Sequence, residues 1–421
     1  MTVSTTSAPQ GPDEVDLHDP VLYGEGEPHS VWRHLRRHAP VHRHVTADGR
    51  PFWSVTRHQD AMRVLRDHRA FTSARGNLLT TLGSDDVASG RMVTVTDPPR
   101  HAELREPQIR ALTEGVRATA GPRMREAVRA LIGPALDGAP VDLARTAARL
   151  PLMALGPVMG LPAADWPRLG RLAAAAVAPD DPAYAADGPG YVPDGTRTTL
   201  AAVHHEIFAY FRTALRARYR APADDLLTRL LPEPGEDARV RAELAVHHCY
   251  SLLLGAVTTL PHTVSATVLA MSEDARVAEA MRQGPEALAT GIEEALRWSS
   301  PASHVMRHTT RPVELAGARL PAGEAVVVWL GSANRDEAVF ADPYRFNPGR
   351  TPNRHLAFGY GPHYCLGAAL ARASLTAVFA ELLDVVGGVE VCGRVEHLRS
   401  HFIAGISRLP VRLAPHRRIP R

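Results

Sequence analysis

The chain reads as a mainly helical protein with small β-sheets, on three observations. Alanine- and leucine-rich segments of helical period run through most of its 421 residues, with apolar side chains three and four positions apart as a buried helix face requires. Strand-like runs are few and short. Stretches rich in Gly, Pro, Asp and Ser, Arg75 to Gly90 and Ala178 to Pro193, separate the periodic segments and read as mobile loops.

From the N-terminus, Met1 to Pro20 is polar and acidic, with no basic start followed by an apolar core, so neither a signal peptide nor an anchor is expected. Phe52-Trp53-Ser54-Val55 reads as a strand. The most apolar stretch is read as Leu150 to Ala164, too short to span a bilayer and interrupted by Pro151, Pro157 and Pro162. Asp224-Asp225 opens a helix where the helix dipole favours acids. His247 to Ala270 is a long apolar helix, and Pro261 within it lacks the N–H that the Val257 carbonyl would use, so a bend is expected there. Val313 to Leu315 and Ala325 to Leu330 read as strands; Val389 to Val391 and Leu409 to Leu413 read as late hairpin material.

Composition narrows the function classes. A net charge of +3 implies no strong field for nucleic acid or membrane. Cys249, Cys365 and Cys392 are an odd, sparse set without metal-finger spacing, which argues against a disulfide framework and for a reducing cytoplasm. Lysine is absent while arginine is abundant, a bias attributed to coding composition.

The chemistry concentrates at Phe358-Gly359-Tyr360-Gly361-Pro362-His363-Tyr364-Cys365-Leu366-Gly367. A cysteine ligates iron as thiolate, whose charge must be stabilised without blocking the sulfur. The glycines leave the sulfur accessible and let backbone N–H groups turn toward it. Ala368 to Ala373 then begins a helix, whose N-terminus also favours an anion. This run resembles the haem-binding signature of the cytochrome P450 family, and every fixed position of that signature is present.

The resemblance extends over nearly the whole chain and favours one domain over residues 16–421, preceded by a flexible arm over residues 1–15. It implies a triangular helical prism enclosing haem b, with Cys365 as axial thiolate and with Phe358, Gly359 and Gly367 forming its cradle. Ile292-Glu293-Glu294-Ala295-Leu296-Arg297 and Pro343-Tyr344-Arg345-Phe346 are similar to the family's two segments that build a buried Glu–Arg–Arg triad, here Glu294, Arg297 and Arg345. The haem propionates need cationic or hydrogen-bonding partners. Asp97-Pro98-Pro99-Arg100-His101 resembles the helix start that supplies two of them, His101 and Arg105, and Arg307 and His363 match the others.

On the oxygen side, Leu254-Gly255-Ala256-Val257-Thr258 resembles the family's oxygen-binding pattern. That alignment implies catalytic roles for Gly255, which permits close approach of dioxygen, and Thr258, whose hydroxyl relays protons. It puts Leu254 in place of a small residue and Val257 in place of the usual acid. The resemblance also implies a substrate pocket including Leu253, Leu254, Val257, Val305 and Ile403, with Asn77, His304 and His401 as polar candidates. The expected activity is monooxygenation of a small molecule, free or carrier-bound, probed against two rivals: a coupling or desaturation that inserts no oxygen, and a haem-binding protein without turnover. No flavin or iron–sulfur module is expected in the chain, so electrons are expected from an external ferredoxin and its reductase, docking where Arg354, His355 and Arg372 add charge.

Overall fold

A computed structural model describes residues 15–25, 28–113, 116–185, 196–231 and 238–416. The N-terminal arm up to residue 14 and the second half of the expected 178–193 loop lie outside the described residues.

Helices carry the bulk of the chain. The largest core cluster joins the helices Val116–Ile132, Leu143–Met159, Trp166–Val177, Thr196–Arg220, Ala238–Val257, Leu260–Glu273, Pro285–Ser299 and Ala368–Val385. Leu143–Met159 tolerates Pro151 and Pro157 and still buries Leu150, Leu152 and Leu155. Its start is capped by the Asp142 carboxylate, which accepts from the Ala144 and Arg145 N–H groups. Asp225 likewise caps Leu226–Arg229, accepting from the Thr228 N–H at 2.9 Å.

The expected strands form. Pro51–Val55 pairs antiparallel with Val41–Val45 and parallel with Ala325–Trp329, which pairs with His304–Thr309. Phe71–Thr72 completes this five-stranded sheet. Val313–Leu315 forms a hairpin with Ala318–Leu320. Val386–Val391 pairs antiparallel with Pro410–Pro415, and Val141–Asp142 adds a third strand. The strands Val41–Val45 and His304–Thr309 are not evident from sequence because His42, Arg43, His44, His304, Arg307 and His308 interrupt their apolar pattern. Most of those polar groups are nevertheless buried by neighbouring elements.

The long apolar segment is two helices, Ala238–Val257 and Leu260–Glu273, separated by Thr258 and Thr259. The break falls where Pro261 withholds its N–H from the Val257 carbonyl. By length and composition Val240–Glu273 would cross a membrane, but the second helix packs against Leu143–Met159 and Pro285–Ser299 inside the core.

Candidate active site

One cavity of about 360 Å³ lies between the cysteine loop and the Ala238–Val257 helix. Phe358, Gly359, His363, Cys365 and Gly367 line it from one side, and Gly255, Ala256, Thr259 and Leu260 from the other.

The cysteine loop is held by its own backbone: the Cys365 N–H donates to the Phe358 carbonyl at 2.8 Å, and the Gly359 N–H to the Leu356 carbonyl at 2.8 Å. Gly359 and Gly361 adopt φ of 69° and 72°, a region costly for other residues. A side chain at Gly361 would also meet the Leu65 carbonyl oxygen at 2.6 Å. Burial pushes the Cys365 thiol up, although the Gly367 N–H, Arg105 and Arg372 each pull it down. The loop alone therefore does not make a thiolate; a cation bound directly to the sulfur would.

His101, Arg105, Arg307 and His363 converge on the same cavity. His101 and His363 stack edge to face with ring centroids 4.5 Å apart. His101 is 4% exposed and its Nε2 has no hydrogen-bond partner; burial, with His363 and Arg105 nearby, depresses it to about 4. Arg307 is equally buried and donates to the neighbouring Met306 carbonyl at 2.8 Å; burial lowers it to about 10. Arg105 donates to the Tyr364 carbonyl at 2.7 Å, tying its helix to the cysteine loop. Asp97 stands 3.8 Å from His363 Nε2 and accepts from the Ser73 N–H at 3.0 Å, the Ser73 hydroxyl at 2.6 Å and the Thr72 hydroxyl; burial would raise its carboxyl, but His363 and these donors hold it well below the usual carboxylate range. Among the described residues the cavity wall holds no carboxylate, so its cations await an external anion. Two carboxylates beside a metal bound by Cys365 fit this wall, which is the donor set haem requires.

Behind the loop, Glu294 and Arg297 are fully buried. Arg297 Nε and Nη2 donate to the Glu294 carboxylate at 2.7 Å each. The third arginine differs from the expected one. Arg345 is exposed and contributes only its backbone carbonyl, which accepts from Arg297 and Arg350 at 3.3 Å. Arg350, 7% exposed, donates from Nε to Glu294 at 3.0 Å. The turn Asn347–Arg350 carries the chain back under the helix, so the arginine after it, not before it, reaches the carboxylate. Asn347 N–H and Asn353 Nδ2 fill the remaining acceptor sites of Glu294 at 2.8 and 3.1 Å.

The oxygen side also departs from expectation. Thr258 is 6% exposed and does not line the cavity; its hydroxyl donates back to the Leu254 carbonyl at 2.9 Å. Thr259 lines the cavity, with its hydroxyl on the Gly255 carbonyl at 3.2 Å. Both threonines lie in the break between the two helices, and there Thr259 joins Ser251 and Gly255 on the cavity wall while Thr258 is buried away from it. Space at Gly255 is open, with no atom within 4 Å of an added Cβ. Leu253 and Val257 point into the core, while Leu254 packs beside the small cluster Val177, Ala178, Leu398 and Ile403. Of the expected pocket residues, Val305 lines the cavity; Leu253, Leu254, Val257 and Ile403 do not. Leu155, Val158, Met159, Leu226 and Leu252 supply apolar wall instead.

Asn77 lines the cavity, whereas His304 and His401 are buried behind it. His304 Nδ1 pairs with the His401 carbonyl at 2.9 Å, and its Nε2 accepts from the Leu79 N–H at 3.1 Å. At the expected docking side Arg354 is exposed, but Arg372 and His355 both engage the Glu293 carboxylate, at 2.7 and 3.1 Å. The Arg372 charge is thus answered within the chain.

With this geometry in place, comparison with known proteins is decisive. Cytochrome P450 NovI of Streptomyces niveus is 35% identical over 416 residues, covering 98% of this chain and 100% of the relative. The chain belongs to the cytochrome P450 family. The family model described as Cytochrome P450 matches residues 195–385. Linalool 8-monooxygenase of Pseudomonas putida is 31% identical over 410 residues, covering 95% of this chain and 99% of the relative. Among solved structures, P450 OxyD, involved in the biosynthesis of vancomycin-type antibiotics, superposes with a TM-score of 0.82 at 34% identity, covering 96% of this chain and 100% of that one. The fold is thus the P450 fold, the cofactor is haem with cysteine-ligated iron, and the enzyme is a P450 monooxygenase.

Proposed function

We propose that this P450 hydroxylates a small, largely apolar organic molecule, free or carrier-bound, in the biosynthesis of a secondary metabolite, within the cytoplasm. The observation that carries this reading is the opposition of Cys365 to Gly255 and Thr259 across an apolar cavity. Bound haem supplies dioxygen activation and the oxidising power for substrate C–H cleavage. Cys365 would hold its iron, and Arg105, Arg307, His101 and His363 its two carboxylates. Gly255 keeps the opposite wall clear, and Thr259 Oγ is the hydroxyl placed to pass a proton into the cavity. One oxygen atom goes to the substrate. The other leaves as water, with two protons from solvent and two electrons from a separate donor, taken here as a ferredoxin and its reductase. The likeness to OxyD, involved in the biosynthesis of vancomycin-type antibiotics, and to cyclomarin C epoxidase CymV of Salinispora arenicola, 32% identical, supports the biosynthetic setting.

The absence of a carboxylate among the described cavity residues favours a second reading, oxidation without oxygen insertion, because a poorer proton supply matters less there. The carbon monoxide difference spectrum of the reduced holoenzyme tests the haem–thiolate assignment: the red-shifted Soret band is expected, and its absence overturns it. Turnover under labelled dioxygen then separates the two readings. Label in the product supports hydroxylation; an oxidised product without label supports coupling or desaturation.

A further inference from the structure

The cavity face of the Ala238–Val257 helix carries one polar group that nothing yet explains. Ser251 lines the cavity one turn before Gly255, and its Oγ is buried without a hydrogen-bond partner. A helix serine ordinarily bonds back to the carbonyl four residues earlier, as Thr258 and Thr259 do in this same segment. One turn further back, His248 is 5% exposed and its Nδ1 is likewise without a partner. Burial, with His247 and Arg100 nearby, depresses that imidazole to about 4, so it is neutral at ordinary pH. Residues three apart share a helix face, which places both unanswered groups in one row with Gly255. The apolar wall is also broken by Gln108, which is 1% exposed and lines the cavity while its Nε2 donates to the Leu104 carbonyl at 3.0 Å.

We propose that Ser251, with His248 behind it, forms a polar subsite of the substrate pocket that receives a hydrogen-bonding group of the substrate. The inference rests on reading this cavity as the haem and substrate site. At about 1.5 Å of rise per residue, Ser251 stands roughly 6 Å along the helix from Gly255. The substrate is therefore an apolar molecule whose hydroxyl, amine or carbonyl lies about that far from the oxidised carbon. A buried hydroxyl left without a partner is unfavourable, and a ligand group that answers it gains affinity with positional selectivity. An aliphatic molecule without such a group leaves Ser251 unsatisfied. A molecule with the group at another distance buries it against Leu155, Val158 or Leu252.

N-substituted imidazoles provide a ruler for the holoenzyme, because the free ring nitrogen ligates the iron and the N-alkyl chain runs into the cavity. Each hydroxyl-terminated imidazole is compared with a methyl-terminated one of equal heavy-atom count, across a range of chain lengths, by Soret titration. The hydroxyl compound is expected to bind as tightly as its partner, or more tightly, only at the lengths that reach Ser251. Ser251→Ala is expected to weaken the hydroxyl compound about 5- to 10-fold at those lengths, leave the methyl compound unchanged, and be rescued by Ser251→Thr. Its melting temperature should not fall, since no bond within the chain is lost. A hydroxyl-to-methyl ratio independent of length, or unchanged by Ser251→Ala, overturns the subsite, as does a marked loss of thermal stability that makes the hydroxyl structural. If no imidazole shifts the Soret band at all, the haem-site reading fails instead.

Discussion

The two sides of the cysteine loop solve opposite problems. Behind it, every acceptor site of the Glu294 carboxylate is answered, by Arg297, Arg350, Asn347 and Asn353. In front of it, His101 Nε2 and Ser251 Oγ are buried and unanswered, and Arg307 meets only a backbone carbonyl. A carboxylate answered at every site fixes the geometry of the loop; open groups on the cavity wall are where cofactor and substrate complete the polar inventory. On that wall, polarity alone does not mark function; the state of satisfaction does.

The closed side should break hardest. Removing one member of a buried, paired network leaves an uncompensated charge, so Glu294→Ala or Arg350→Ala should each cost about 3 to 5 kcal/mol and impair haem retention. Arg345→Ala removes an exposed side chain and keeps the backbone carbonyl that the network uses, so it should cost less than about 0.5 kcal/mol. Denaturant unfolding of the three variants, with haem occupancy read from the Soret band, checks the ranking. Equal losses for Arg345→Ala and Arg350→Ala would return the triad to its expected membership.

Acidification probes the packing beside the cavity wall, around His304. His304 is 0% exposed, and burial, its largest influence, lowers it from 6.5 to about 4, only partly offset by its bond to the His401 carbonyl. Because the folded value lies below the unfolded one, the unfolded chain binds the extra proton first. The contribution is present above pH 6.5 and is lost as pH falls through that value toward 4. One such histidine should forfeit about 2 kcal/mol between roughly pH 7.5 and pH 5. Protonation also abolishes the acceptor that holds the Leu79 N–H, so the 75–90 loop should loosen with it. Stability curves at the two pH values, in the parent and in His304→Phe, test this: the variant should show the shallower slope, and equal slopes would remove His304 as the titrating group.

Much of this was legible in sequence, and the misses share a cause. The cysteine loop, the four groups around the propionate positions and most strands could be read because turn chemistry and short motifs are local. Arg350 was missed because which of two nearby arginines turns inward is decided by the course of the Asn347–Arg350 turn. Leu254 and Ile403, expected as walls of the pocket, pack together behind it, a contact no local pattern encodes. Thr258 and Thr259, three and four residues beyond Gly255, are both its neighbours by helical spacing, and only the break between Val257 and Leu260 decides which one meets the cavity.

That pair of threonines gives the finest test of the open side. Both hydroxyls bond back to a carbonyl four residues earlier, but only Thr259 does so at the cavity surface. If the hydroxyl serves proton delivery, Thr259→Ala should lower product formed per electron consumed by about 10-fold and raise hydrogen peroxide release to match, with little change in substrate affinity. Thr258→Ala loses a buried hydroxyl and its methyl, so it should cost about 1 kcal/mol of stability and leave coupling near the parent value. The measurement is reductant consumed against product and peroxide formed in the reconstituted system. Uncoupling by Thr258→Ala with Thr259→Ala unaffected would mean that the helix opens between them during turnover and turns the inner threonine outward. Uncoupling by neither would mean that water in the cavity, admitted at the break before Leu260, carries the protons without a threonine.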